Sequence, residues 1–573
     1  MSDAAAQVEA AKRALAQAEA ALAAEQAKQA PSPEAVSTGQ RPPLTPDQVA
    51  TIKAGYAFDA PALEMGALVN GEPLADVPVR IPIAMVNRHG LVAGATGTGK
   101  TKTLQVLAEQ LSAAGVPVFA ADIKGDLSGI ATAGESTPKL LERTASIGQH
   151  WVAAAIPTEY YTLGGVGTGI PIRATVSSFG PLLLSRVLGL NDTQESSLGL
   201  VFHYADRAGL PLVGLDDLRA VLQWLVSDEG KPELKSLGGL SGATAGVILR
   251  ELIGFSDQGA DVFFGEPEID TALFLRTTAE GRGIVSLLEI PGVQDRPAVF
   301  STFLMWLLAD LFNDLPEVGE IDKPKLVFFF DEAHLLFNGA SKDFIASITQ
   351  TVRLIRSKGV GIFFVTQTPK DVPGDVLAQI GSRVQHQLRA HTPDDAKALK
   401  STVSTYPTSG YELGDVLQEL AIGEAIITVM NERGAPSPVA WTRLRAPQGS
   451  MSPTPAAVVE ATVSASPLLA AYGTPVDRQS AYEMLSVKMN AAADAEARAE
   501  QAKESKSVQA EYARAVREMR KAEQARKPKT TTRTTTRTSR RADNPLDDIL
   551  GSRTGQTVIR EVLRGVFSTL KRK

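Results

Sequence analysis

The chain contains no cysteine among its 573 residues, which excludes disulfide bonds, thiol catalysis and zinc sites with cysteine ligands. It also lacks a long apolar run. The longest apolar stretch, between Val299 and Phe312, is interrupted by Ser301, Thr302 and Asp310 and is too short to span a bilayer. The first residues lack the basic start and apolar core of a secretion signal, so we expect a cytoplasmic protein without stable membrane insertion.

A large positive charge is missing as well. The formal net charge is −6 at pH 7 and the sequence pI is about 5.7, so the whole molecule is not a polycation that would coat nucleic acid. Any basic surface must therefore be local. The hydrophobic content of 44% is ordinary for a globular protein, and the length is sufficient for a large core domain with extensions.

Between residues 44 and 446, short apolar runs alternate with helical segments. This alternation is typical of a mainly parallel β-sheet covered by helices, and we predict one α/β domain with a mainly helical subdomain inserted at residues 128–280. A strand-like run, Ile170–Val176, lies inside the insertion. The predicted strands of the main sheet are Leu91–Ala93, Val116–Ala121, Gly283–Ile290, Leu326–Phe330, Gly361–Thr366, Val384–Leu388 and Ala425–Val429.

Segments of different composition flank this domain. Residues 1–30 carry alanine and leucine at heptad-like spacing, which predicts a helix that pairs weakly with another helix or stays solvated. The predicted extensions are, in chain order, this helix at 1–30, a linker at 31–43, a second linker at 447–477, a charged helix at 478–527, a basic disordered segment at 528–548 and an amphipathic helix at 549–573.

The clearest chemistry lies in the eight residues Gly-Ala-Thr-Gly-Thr-Gly-Lys-Thr, which follow a predicted strand and precede a helical pattern. In a phosphate-binding (Walker A) loop of this spacing, glycines let backbone N–H groups curl around the β-phosphate. Lys100 reaches the β and γ oxygens, and the Thr101 hydroxyl completes a Mg²⁺ shell. The predicted nucleotide-binding residues are Gly94, Ala95, Thr96, Gly97, Thr98, Gly99, Lys100, Thr101 and Lys102. The sequence therefore predicts a site for ATP and Mg²⁺.

A second apolar run, Leu326–Phe330, ends in the acids Asp331 and Glu332. Open parallel sheets bind ligands at the carboxyl ends of their strands. We therefore predict that Asp331 holds Mg²⁺ through water and that Glu332 accepts a proton from the attacking water, as in a Walker B motif. An alternative is that the two acids only cap the following helix.

Two other predicted strands end in polar side chains. Asp122 is a candidate acid in the layer around the metal ligands, or else part of a surface turn. Gln367 follows Gly361–Thr366 and is suited to sensing the γ-phosphate or aligning the water, or else it is a turn amide.

Hydrolysis of ATP also requires positive charge against the transition state, commonly an arginine from a neighbouring subunit. Arg356 is the predicted arginine finger, and Arg353, on the same helical pattern, is an alternative. Arg383 and Arg389 flank the strand after Gln367 and are further alternatives. The alternative for each is a solvated surface side chain, which is the usual state of a helical arginine.

Several short motifs carry a resemblance to a known family. They are Asn87-Arg-His-Gly90, Asp122-Ile-Lys-Gly-Asp126, Asp331-Glu-Ala-His334, Arg353-Leu-Ile-Arg-Ser-Lys-Gly-Val360, Val365-Thr-Gln367 and Pro393-Asp-Asp395. With them the chain resembles the HerA/FtsK class of hexameric ATPases, especially its bacterial HerA-like branch, over residues 44 to 444. The resemblance implies a RecA-like P-loop core and a ring of six subunits with ATP at the subunit borders. It also implies the roles given above for Lys100, Thr101, Asp331, Glu332 and Gln367, with a finger near Arg356.

The chain departs from this family in one respect. HerA-like proteins carry a small β-barrel before the ATPase core, whereas only the fifty residues 44–93 separate the linker from the phosphate loop here. We therefore do not expect a nuclease partner to dock through such a barrel.

Three functions are consistent with these features. The first is a Mg²⁺-dependent ATP hydrolase that acts as a ring-shaped DNA translocase or helicase. The second is a protein-transport or scaffold ATPase that does not act on nucleic acid, because fold does not choose the cargo. The third, a two-lobed helicase suggested by Asp-Glu-Ala-His, requires a second lobe whose arginine motif the sequence lacks. The basic run from Lys527 to Arg541 is either a weak DNA-binding element or a solvated linker.

Overall fold

The computed structural model describes residues 44–236, 238–289, 297–337, 342–431 and 433–525. The predicted helices at 1–30 and 549–573, the linker at 31–43 and the basic segment at 528–548 lie outside the described residues. The first compact unit of the chain ends at Ala492, and the second begins at Ala493.

The described residues form one sheet of twelve strands. In chain order these are β1 Ala62–Asn70, β2 Glu72–Pro82, β3 Gly90–Ala93, β4 Val118–Asp122, β5 Thr158–Leu163, β6 Ile170–Ile172, β7 Val285–Glu289, β8 Leu326–Phe330, β9 Val360–Thr366, β10 Ser382–Gln385, β11 Glu424–Val429 and β12 Ala440–Leu444.

Helices connect these strands. In chain order they are α1 Pro46–Gly55, α2 Lys100–Ala113, α3 Pro138–Ser146, α4 Val176–Val187, α5 Asp192–Arg207, α6 Leu215–Val226, α7 Lys231–Ser236, α8 Gly242–Asp257, α9 Pro297–Asp314, α10 His334–Phe337, α11 Lys342–Ile355, α12 Gly374–Leu377, α13 Pro393–Val403, α14 Leu413–Glu419, α15 Ala456–Ala465, α16 Pro467–Tyr472 and α17 Ala481–Ala525. Short 3₁₀ turns lie at Ile83–Arg88, Ser128–Ala131, Ala260–Phe263, Thr271–Leu275, Arg356–Lys358 and Pro369–Asp371.

The strand order is β2-β1-β12-β11-β10-β3-β9-β8-β4-β7-β5-β6. From β10 to β6 all neighbours are parallel, whereas β11, β12, β1 and β2 extend the sheet in antiparallel pairs. The central strands are buried along their whole length, which explains why β8 reads Leu-Val-Phe-Phe-Phe without alternation. The predicted α/β fold with a RecA-like, mainly parallel sheet is confirmed.

The seven predicted strands correspond to β3, β4 and β7 to β11. The bounds of β8 are as predicted, and the other six strands have at least one shifted end. The prediction Val384–Leu388 is wrong at its end, because β10 stops at Gln385 and the following residues contact the phosphate loop. The strand-like run Ile170–Val176 is shorter than predicted, because Thr175 caps α4 by accepting a hydrogen bond from Ser178 N. The sequence analysis missed β1, β2, β5 and β12.

Residues 128–280, which the sequence analysis assigned to an inserted subdomain, contain α3 to α8 and share the core of the main sheet. Strands β5 and β6 extend the sheet itself. The Phe263 ring lies 5.5 Å from the Trp306 ring of α9, and the Phe274 ring lies 4.9 Å from the Phe119 ring of β4. Because these side chains are fully buried, this segment shares one hydrophobic core with one face of the main sheet.

The prediction of a linker at 447–477 is wrong for residues 456–472, which form α15 and α16. Val459 and Val463, one helical turn apart, and Leu468 are buried, and the two helices pack on β5 and β6. Just before them, the Glu109 carboxylate accepts hydrogen bonds from Gln448 N and Gly449 N, both at 2.8 Å. The sequence of this stretch is rich in alanine and serine, so its few buried apolar residues did not indicate two packed helices.

The long charged helix α17 starts in the first unit, where Ala481 and Leu485 are buried. Its side chains beyond residue 497 are largely exposed as far as they are described. Among the described helices, none combines the length and apolar composition that crossing a membrane requires. Before the phosphate loop, the described residues form α1 and the β1–β2 hairpin, which joins the main sheet.

Candidate nucleotide-binding site

The predicted phosphate loop, Gly94–Thr101, connects β3 to α2 and is held by the strands on both sides of β3. Gly94 N donates to Thr366 O at the end of β9, at 3.2 Å, and Ala95 N donates to Gln387 O just beyond β10, at 2.9 Å. The loop is therefore fixed to the carboxyl edge of the sheet, where the parallel strands end.

Two glycines of the loop are required by the geometry. Gly97 has φ +83°, a conformation that side chains with a Cβ rarely adopt. At Gly94 a Cβ would lie 2.4 Å from the His386 Cβ. The loop can therefore follow this path only with glycine at both positions.

The first turn of α2 begins at Lys100 and includes Thr101. The N–H groups of a first helical turn have no partner within the helix and carry a partial positive charge. The Lys100 ammonium donates to Gly94 O at 2.7 Å and to Ala95 O at 3.3 Å. Burial lowers its pKa, against the opposing effect of Glu332 and Asp331. The loop and the helix end thus concentrate positive charge in a small concave surface, as phosphate binding requires.

The acids at the end of β8 lie at the same edge, because β8 is separated from β3 only by β9. Glu332 N donates to Asp331 Oδ1 at 2.9 Å. Burial, reinforced by the negative charge of Glu332, raises the pKa of Asp331 to about 6. Glu332 itself is buried and has φ +48°, a conformation that is uncommon for a residue other than glycine.

The phosphate loop and the two acids, far apart in the sequence, therefore converge. The charges of Asp331 and Glu332 both act on the Lys100 ammonium. This arrangement brings together the Lys100 ammonium and the carboxylate pair that the sequence analysis assigned to one site, and Thr101 follows Lys100 in the first turn of α2.

Lys124, to which the sequence analysis gave no role, is part of the same site. It follows β4, the next strand after β8, and its ammonium forms an ion pair with Glu332 Oε1. The other oxygen, Glu332 Oε2, lies 3.3 Å from His334 Nδ1. The motif Asp122-Ile-Lys-Gly-Asp was visible in the sequence, but the partner of its lysine depends on the strand order.

Asp122 is buried beside these residues and has a structural partner of its own. Its Oδ2 accepts a hydrogen bond from Leu127 N at 2.8 Å. Burial raises its pKa to about 6, with smaller contributions from nearby acids that include Glu289. Asp122 therefore shapes the loop that carries Lys124 and adds negative charge close to Asp331, whose pKa it helps to raise.

Gln367 lies at the loop edge, immediately after Thr366, which pairs with Ala93 across β3 and β9. Its side chain is exposed, so it is free to turn toward a ligand. Thr366 and Thr368 are held by Asp371, whose Oδ2 accepts from Thr366 Oγ1 at 2.7 Å and from Thr368 N at 3.0 Å.

His386 was also missed by the sequence analysis. It is fully buried beneath the phosphate loop, and its Nε2 lies 2.9 Å from Thr103 Oγ1. Burial and the charge of Lys100 lower its pKa to about 3, so the imidazole is neutral at physiological pH. It supports the loop without competing with Lys100 for a phosphate.

The structure does not bring the predicted finger, Arg356, to the phosphate loop of its own chain. Arg356 lies in the turn before β9, close to Arg88 and His89, which precede β3. This is the amino edge of the sheet. β9 is seven residues long, so the two edges are roughly 20 Å apart. Arg353 precedes the same turn and is exposed.

The other two arginine candidates have different positions. Arg383 lies within β10, and its guanidinium donates to Thr405 Oγ1 at 2.9 Å. Arg389 lies beyond β10 and is exposed, and its guanidinium donates to Thr96 O of the phosphate loop at 3.4 Å. Of the four candidates, Arg389 is thus the one with a contact to the loop of its own chain.

A cavity of about 920 Å³ opens beside the loop, on the side of β12. Gly99, Lys102 and Thr103 form its border with the loop, and Arg143 and Trp151 belong to its other walls. The end of β12 and the segment that follows β4 also line the cavity, whereas Asp331 and Glu332 are not among its lining residues.

Within the described ranges, no group of three or more acidic or histidine side chains could hold a metal ion alone. Mg²⁺ commonly binds through one or two protein oxygens together with substrate phosphates and water. The hydroxyl of Thr101, in the first turn of α2, and the carboxylate of Asp331, which interacts with the neighbouring Lys100, are oxygen donors of this kind, so the residues present suit Mg²⁺ brought with a nucleotide.

Residues 68–573 match the protein family Helicase HerA-like C-terminal. The chain belongs to this family. As a HerA-like protein with a complete phosphate loop, it is a P-loop ATPase of the HerA/FtsK class, and the resemblance noted in the sequence is confirmed.

Individual relatives of this HerA-like chain are distant. It is 28% identical over 150 residues to the probable helicase MJECL08 of Methanocaldococcus jannaschii. The matched residues are 25% of this chain and 28% of that protein. The unbound conjugative coupling protein TrwBdeltaN70 aligns with a TM-score of 0.47 at 15% identity, covering 71% of this chain and 94% of that chain. VirB4 of Thermoanaerobacter pseudethanolicus aligns with a TM-score of 0.42 at 16% identity, covering 68% and 98%.

Proposed function

We propose that this chain hydrolyses Mg²⁺-bound ATP at the carboxyl edge of its sheet. The observation that carries the proposal is the convergence of Lys100 with Asp331 and Glu332, which interact electrostatically. Lys100 and the N-terminus of α2 bind the β- and γ-phosphates, and Thr101 and Asp331 hold the metal. Mg²⁺, when bound, neutralises charge on the phosphate oxygens.

The lining of the cavity supports one orientation of the nucleotide. The cavity borders the start of α2 at Gly99, Lys102 and Thr103, and Asp331 and Glu332 are not among its lining residues. The γ-phosphate therefore faces Asp331 and Glu332, and the nucleoside enters the cavity. Glu332 accepts the proton of the attacking water, and Gln367, exposed at the end of β9, orients that water or contacts the γ-phosphate.

The position of Arg356 supports an assembly in which the site is completed by a neighbouring subunit. Its guanidinium lies at the opposite edge of the sheet from its own phosphate loop, and its side chain is partly exposed. A finger at that edge acts only on a nucleotide bound by another copy of the chain. A closed ring places every site at such a border, and a hexamer is the assembly we propose.

The proposed substrate of the motor is DNA. The family carries a helicase description, and the sequence contains a local basic run that could neutralise backbone phosphates. A protein cargo is the competing proposal, because ATPases of this fold class do not select their cargo through the fold. The two differ in whether nucleic acid changes the rate of ATP turnover.

The test is an ATPase assay of the wild type and Glu332→Gln, with and without duplex or single-stranded DNA, alongside a mass measurement with nucleotide bound. We expect Glu332→Gln to bind ATP and remain assembled while turnover falls by about 10² to 10⁴. DNA should stimulate the wild type. An equal rate with and without DNA would contradict the DNA motor and favour a protein cargo, whereas no turnover at all would contradict the ATPase proposal.

A further inference from the structure

Glu332 has no oxygen available to a water molecule in this arrangement. Its Oε1 is engaged by the Lys124 ammonium, and its Oε2 is buried without a hydrogen-bond partner, 3.3 Å from His334 Nδ1. Only 7% of the side chain is exposed. A general base must have an atom within hydrogen-bond reach of the proton that it removes. The ion pair with Lys124 must therefore change before Oε1 accepts a proton.

Lys124 is the partner that can move. Its side chain is 42% exposed, whereas its backbone is held on both sides. Leu127 N donates to Asp122 Oδ2 at 2.8 Å, and Ser128 Oγ donates to Gly125 O at 2.7 Å. The ammonium can therefore change partners by side-chain rotation while the loop stays in place.

A second anion beside Lys124 would compete for its ammonium. Lys100 and Lys124 both lie within electrostatic range of Asp331 and Glu332, and the two ammonium groups repel each other. A polyphosphate bound by Lys100 therefore brings negative charge to the neighbourhood of Lys124. By the orientation argued above, the terminal phosphate of ATP comes nearest, and ADP lacks that group.

We propose that Lys124 is a positioning residue that holds Glu332 until the terminal phosphate of ATP draws its ammonium away. The base is then released only when the third phosphate is present. This inference rests on the proposed ATPase function and extends it by assigning recognition of the third phosphate to the Lys124–Glu332 pair.

The experiment is a double-mutant cycle on the full chain, in which the affinities for ADP and for a non-hydrolysable ATP analogue are measured by calorimetry. Glu332→Gln removes the competing charge, so it should tighten analogue binding about fivefold, the size expected for a partly exposed ion pair. ADP binding should not change. In a Lys124→Met background the same substitution should have no effect on the analogue, whereas Lys124→Arg, which keeps the charge, should retain the effect.

Lys323→Met is the matched control. The Lys323 ammonium donates to Ala114 O at 3.1 Å, beyond the other end of β4, and should affect neither nucleotide. If Glu332→Gln changes both nucleotides equally, or keeps its effect in the Lys124→Met background, Lys124 does not sense the third phosphate. If the wild type binds neither nucleotide, the proposed function fails together with the inference. Binding and turnover in the wild type without this coupling overturn the inference alone.

Discussion

Replacing Asp331 by asparagine should stabilise the fold and destroy the enzyme. The carboxyl group is partly buried and lies next to Glu332, so its pKa is raised from 3.8 to about 6. Asparagine has the same shape and keeps an Oδ1 atom for the hydrogen bond from Glu332 N. It removes the charge that the folded protein disfavours, together with the carboxylate needed to hold Mg²⁺.

The pKa shift gives the size and the pH dependence of the effect. A carboxyl group with a raised pKa favours the folded state only while it is protonated. That contribution is complete below about pH 4 and is lost as the pH rises through about 6. A shift of about two units corresponds to at most about 3 kcal/mol. Because water reaches part of the side chain and Glu332 shares the charge, we expect about 1–3 kcal/mol at pH 7.5.

The assay is urea unfolding of wild type and Asp331→Asn at pH 4.5 and 7.5 without divalent cations, with Asp375→Asn at an exposed position as the control. The urea midpoint of Asp331→Asn should exceed that of the wild type at pH 7.5, and the gap should shrink at pH 4.5. Added Mg²⁺ and ATP should stabilise only the wild type. A variant less stable than the wild type at pH 7.5, or a gap independent of pH, would refute the electrostatic argument.

Two further predictions concern the ring and the cavity. Arg356→Ala and Lys100→Ala should each be inactive alone. An equal mixture should recover about one quarter of the wild-type turnover, because one border in four then combines an intact loop with an intact finger. If the subunits exchange and turnover does not recover, the finger does not act in trans. Ile422→Ala should weaken ATP and ADP binding equally, about three- to tenfold, because Ile422 lines the cavity. The stability of the fold should not change, because Ile422 is 74% exposed. Unchanged affinity in a fluorescence titration would place the adenine base of the nucleotide elsewhere.

Local sequence patterns were sufficient for the central strands and for the phosphate loop. Leu91–Ala93, the loop and α2 are contiguous, so the motif and its structural context are encoded in one stretch of chain. The acids after β8 were recognisable because a fully apolar strand ended in two charges. Strands that add to the sheet in antiparallel pairs, such as β1 and β12, carried no comparable signal, and their place depends on which sheet edge they join.

By itself, the sequence determined that the chain contains a parallel α/β core with a phosphate loop and a carboxylate pair, because each of these features depends on neighbouring residues. Only the tertiary structure decided which charges meet. Strand order places Lys124 on Glu332, His386 beneath the loop and Arg356 at the opposite edge. That order results from packing between distant segments, and the apolar side chains of one strand specify that it is buried, not which strands lie beside it.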